Sequence, residues 1–61
     1  MIYIYFAATE RTATSVAQYL KTWHIAVFYN ADTRMYYANA TSVLDMQRIT
    51  SALKVYGLIS E

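Results

Sequence analysis

Apolar positions recur along this chain with two different periods. Ile2–Ala8 reads Ile-Tyr-Ile-Tyr-Phe-Ala-Ala, β-branched and aromatic residues with no charge among them. That composition predicts a strand. Successive side chains alternate in a strand, so Ile2, Ile4 and Phe6 fall on one side and Tyr3, Tyr5 and Ala7 on the other. From Thr9 to Trp23 the period lengthens. Ala13, Val16, Ala17, Leu20 and Trp23 form an i, i+3, i+4, i+7 stripe, with Thr12, Ser15, Gln18, Lys21 and Thr22 opposite. This spacing predicts a helix, capped by Thr9 or Thr12, with Tyr19 beside the stripe.

Two further strands follow, at His24–Asn30 and Arg34–Asn39, joined through Ala31-Asp32-Thr33. Asn30 and Asp32 favour a turn because their side chains bond nearby backbone. The loop has no glycine, so the hairpin is better defined than its turn type. Thr41–Tyr56 returns to helical spacing, with Val43 or Leu44, then Met46, Ile49, Leu53 and Tyr56, on one stripe. Ser42 followed by Asp45 has the form of a capping box. Gly57, the only glycine, stands where a left-handed helix ending belongs, which would fold Leu58 back on Leu53. Leu58–Glu61 then packs as a tail or adds a short edge strand.

The order β-α-β-β-α predicts a small α/β (α+β) domain spanning residues 1–61. Its expected architecture is a two-layer sandwich, a three-stranded mixed sheet with two helices on one face. Ile4, Val16, Leu20, Ile49 and Leu53 are the expected core. A sheet covered on one face should read polar on the other. Here both sides of every strand carry large apolar groups, whatever the hairpin register. An idle aromatic face is costly, since burying one such side chain is worth roughly 1.5–3 kcal/mol.

Composition narrows what that face is for. The 61 residues are 57% hydrophobic and 15% charged, with net charge +1, which excludes a disordered chain. So short a chain has a thin stability margin, and with no Cys and one His it has neither disulfides nor a zinc site to widen it. A partner chain is the remaining device. No apolar run is long enough for a membrane span, and none has the form of a secretory signal. These features, with the lack of Cys, point to a cytoplasmic setting.

Little catalytic chemistry is on offer. His24 is the one imidazole, and its place after the first helix marks it as a strand-edge or helix-end residue. Glu10, Asp32, Asp45 and Glu61 are scattered over loops and helix ends, and one glycine cannot build a phosphate loop. No catalytic residue, cofactor or metal is expected. Asn39-Ala40-Thr41 has the form of a glycosylation acceptor, but no signal directs it to a compartment where that would matter.

Ile49–Ile59 (Ile-Thr-Ser-Ala-Leu-Lys-Val-Tyr-Gly-Leu-Ile) resembles the end of the recognition helix in winged helix-turn-helix proteins. That resemblance implies two helices before the segment and a β wing after it. The residues before Thr41 read instead as a hairpin, and Gly57 serves equally as a helix cap, so no family is assigned.

The expected function is therefore recognition of another protein, by an aromatic sheet face or an unpaired strand edge. Tyr3, Tyr5, Phe28, Arg34 and Tyr36 have the composition of such contacts. The partner is a second copy, a foreign target, or both. A virus-encoded inhibitor of a host factor is one concrete form. The alternative is single-stranded nucleic acid stacked on the same face, although five dispersed cations supply little of the charge such sites use. No membrane association is expected.

Overall fold

The computed structural model describes residues 1–59. Its elements are β1 (Ile2–Phe6), α1 (Glu10–Lys21), β2 (Val27–Asn30), β3 (Met35–Ala40) and α2 (Val43–Val55), the expected β-α-β-β-α order. The sheet order is β1-β3-β2. β1 pairs antiparallel with β3, Ile4 opposite Ala38 and Phe6 opposite Tyr36. β2 pairs with β3 from the other side, also antiparallel, Val27 opposite Ala38 and Tyr29 opposite Tyr36. The β-α-β-β-α order holds, but the expected mixed sheet is corrected to an antiparallel one by this strand order. β1 and β2 run parallel, but β3 lies between them, so every ladder is antiparallel.

Opposed residues share a face, so the register sorts the side chains. Ile2, Ile4, Phe6, Val27, Tyr29, Tyr36, Ala38 and Ala40 face one way. Of these, Phe6, Ala38 and Ala40 are buried with Ala13, Val16 and Leu20 of α1 and Ile49, Ala52 and Leu53 of α2. Both helices thus cover the same face. The expected core residues Val16, Leu20, Ile49 and Leu53 are fully enclosed, while Ile4 is half-buried against them. Ala38 and Ala40 let α2 approach the central strand closely. The stripe of α2 is narrower than its sequence suggested. Val43 and Leu44 are exposed, and Ala52 takes a buried place.

Both helices start and stop by local means. The Thr9 side chain caps α1 by accepting from the Thr12 amide at 3.2 Å. Ser42 caps α2 by accepting from the Asp45 amide at 3.1 Å. The reciprocal half of the capping box reaches one residue further back than expected. Asp45 Oδ2 accepts from the Thr41 hydroxyl at 2.7 Å and the Thr41 amide at 3.2 Å. These bonds hold the Asp45 carboxyl below its ordinary value of 3.8, with a smaller contribution from Arg48. A depressed carboxylate stabilises the fold above its unfolded pKa, and that stability is lost as the pH falls toward the folded value. Acid titration should therefore lower the melting temperature of the wild type more than that of Asp45→Asn below about pH 4.

The two endings are alike. At α2, the Gly57 amide donates to the Lys54 carbonyl and the Leu58 amide to the Leu53 carbonyl, with Gly57 at φ 71°. This is the expected left-handed ending, and Leu58 packs on the core. The beginning of the tail thus packs, while Ser60 and Glu61 lie outside the described residues. At α1, the His24 amide donates to Lys21 and the Ile25 amide to Leu20, with His24 at φ 60°. Ile25 is buried, as Leu58 is partly. The helix thus takes over the start of the expected strand, which begins only at Val27. Between the helices, Tyr19 packs on Trp23 and Tyr56, and the Arg48 guanidinium lies 5.2 Å from the Trp23 ring.

A side chain in the left-handed region costs about 1–2 kcal/mol. His24→Gly should therefore raise the melting temperature by about 4–8 °C for each kcal/mol recovered. Gly57→Ala should lower it, although nothing lies within 4 Å of the added methyl, so the loss reports the backbone alone. Differential scanning calorimetry of the two variants checks both signs. α2 follows a strand rather than two helices, and Gly57 is its cap, so the helix-turn-helix likeness does not extend to the fold.

Candidate interaction surface

The other face of the sheet carries Tyr3 and Tyr5 from β1, Met35, Tyr37 and Asn39 from β3, and Phe28 and Asn30 from β2. Neither helix covers it. Tyr37, on the central strand, is the hub. Its ring lies 5.8 Å from Tyr3 edge-on, 5.2 Å from Tyr5, and 5.4 Å from Phe28 in a stacked arrangement. The rings form a band across all three strands. Tyr3, Tyr5 and Phe28 remain 54%, 45% and 43% exposed. Contacts of this kind contribute about 0.5–1.5 kcal/mol each beyond area burial, so the rings hold one another in place.

The five residues chosen from the sequence are divided by the register. Tyr3, Tyr5 and Phe28 share the open face. Tyr36 does not. It faces the helices, stacks on Phe6 at 6.0 Å, and lies 4.9 Å from Tyr29. Its place is taken by Tyr37, which alternation alone could not separate from its neighbour. Arg34 is not on a strand. It ends the hairpin loop in the left-handed conformation, φ 58°. The loop is anchored by Asn30 Oδ1, which accepts from the Asp32 and Thr33 amides at 2.9 and 3.3 Å. Arginine here does the backbone work usually left to glycine.

Asn39 lies beside Tyr3 on the same face, and its side-chain oxygen is buried without a hydrogen-bond partner.

Apart from this face, an open groove of about 760 Å³ runs between α1 and the outer edge of β2. Its walls include Ala13 and Ala17 of α1 and Val27 and Tyr29 of β2, with Glu10 and Arg34 also lining it. Because Phe6, Tyr36 and Tyr29 stand side by side, the start of α1 and the hairpin loop share one end of the sheet. Both charges therefore border the β2 edge. Among the described residues the one ion pair is Arg48 with Asp45, at 3.9 Å.

His24 is exposed at the end of α1, as a helix-end residue. Among the described residues no three potential metal ligands gather in one place, and no helix is long and apolar enough to cross a membrane. The fold and this face define a small α+β domain with one sheet face that neither helix covers. Compared with family models, curated proteins and solved structures, the chain matches none.

Proposed function

We propose that this domain is a non-enzymatic recognition module that docks a partner protein on the aromatic band Tyr3–Tyr5–Tyr37–Phe28. The observation that supports this is the band itself, half-exposed rings braced by one another on a face that no helix covers. Braced aromatics lose little conformational freedom on binding and supply large contact area, the composition found at the centre of protein interfaces. None of the strand residues on that face is charged. A cytoplasmic inhibitor, including one that a virus directs at a host factor, belongs to this reading.

The test uses three immobilised baits: wild type, Phe28→Asp, and Val55→Asp as a control on exposed α2 surface. A partner captured by wild type and the control, recovered pure and titrated, should bind Phe28→Asp at least about 30-fold more weakly, the loss expected of a central contact. Its affinity should change little between 50 and 200 mM salt. A single-stranded oligonucleotide that binds with a steep salt dependence and needs Phe28 would replace this reading with the nucleic-acid one. Equal binding by all three baits would remove the face from the function.

A further inference from the structure

The two edges of the sheet are not alike. β2 is four residues long and is bordered by Glu10, Arg34 and the flank of α1. Charge and a covering element are the usual protections of a strand edge. β1, Ile-Tyr-Ile-Tyr-Phe, has no charge and no proline, and β3 occupies only one of its sides. Around it lie exposed apolar side chains. Ile2 is 51% exposed on the helix-side face, and Ala40, its partner, leads into the exposed Val43 and Leu44 at the start of α2.

β1 is also self-complementary. Set against a second copy of itself, antiparallel and centred on Ile4, it places Ile2 opposite Phe6, Tyr3 opposite Tyr5, and Ile4 opposite Ile4. Every residue keeps its own face, because each opposed pair has the same alternation. Whichever alternate residues turn their N–H and C=O to the free edge, this register opposes them to one another. β2 has no equivalent. Centred on Phe28 or Tyr29, it pairs only three of its four residues.

We propose that the β1 edge is a self-association surface, at which two copies of this chain pair β1 with β1 about a two-fold axis midway between their Ile4 residues. The three strands of each copy then form one continuous antiparallel sheet. The helices of both copies lie on one face and the aromatic bands join on the other. This pairing stands independently of what the band binds. It also supplies the second chain that so small a core calls for.

The chain has no cysteine, so one introduced thiol reports one position. Directly opposed residues in an antiparallel pair have Cα atoms about 4.5–5.5 Å apart, within the range of a disulfide. Ile4→Cys, oxidised under mild conditions at low protein concentration, should give a covalent dimer in high yield. Tyr5→Cys should not, because its two copies would lie about 8 Å apart. Light scattering of the unmodified protein should give twice the chain mass.

Charge placement adds a readout that the cysteines do not. Tyr3→Lys with Tyr5→Lys opposes like charges and should yield monomers. Tyr3→Lys with Tyr5→Glu opposes lysine to glutamate and should stay dimeric. Phe28→Asp should remain dimeric while losing the partner, which separates this proposal from the recognition reading. Three results would overturn the edge pairing. They are a monomer at every concentration, cross-linking at Tyr5 rather than Ile4, or the same mass for both charge-pair variants.

Discussion

Leu20→Ala should leave the chain largely unfolded. Leu20 is fully buried in the core. Truncations of this kind cost about 2.7–5 kcal/mol, the lost transfer energy plus the cavity left behind. A single core in a chain below 70–80 residues rarely supplies more than about 3–5 kcal/mol in total. The two magnitudes overlap, so one side chain carries most of the margin. Far-ultraviolet circular dichroism should show loss of helix and of a cooperative melt. Val55→Ala, at a residue 65% exposed on α2, should change neither. A cooperative melt in Leu20→Ala near the wild-type temperature would mean that the core is redundant, or that association contributes far more stability than the monomer.

Tyr36→Asp should unfold the domain, whereas Tyr3→Asp should leave it folded. Tyr36 stacks on Phe6 and meets Tyr29 at a tilt on the helix side of the sheet. An aspartate there removes those contacts and turns a charge toward the core, at a cost of about 3 kcal/mol or more. Tyr3 is an edge residue on the open face, and its loss removes one edge-on contact with Tyr37, worth about 1 kcal/mol. The helical signal should therefore vanish in the first variant and persist in the second. A persistent helical signal in Tyr36→Asp would mean that β3 pairs one residue out of register, turning Tyr36 to the open face.

That contrast also shows how far the chain could be read before its structure. Element order, helix caps, the Gly57 ending and the core stripe of α1 all follow from local chemistry: periodicity, a hydroxyl three residues before an amide, a glycine at a helix end. The open face needed more. Tyr36 and Tyr37 are adjacent tyrosines in an apolar strand, and nothing local says which turns outward. The choice is made by β3 lying between two partners and by Ala38 and Ala40 meeting the helices. Arg34 and His24 were hidden for a different reason. Each adopts a backbone conformation associated with glycine, His24 where Ile25 turns into the core and Arg34 at the end of the loop that Asn30 anchors. Ile25, buried after His24, was the available sign that α1 closes in the same way as α2.

The strand order has a consequence for the time course of synthesis. β1 is made before β3, its one partner strand among the described residues, and Phe6 meets Tyr36 thirty residues later. At about 5–20 residues per second, the Ile-Tyr-Ile-Tyr-Phe segment waits roughly 1.5–6 s for that strand to emerge. The β2–β3 hairpin, by contrast, closes within about 10 μs once its residues are free. The sheet is thus finished only when its earliest-made strand pairs with β3.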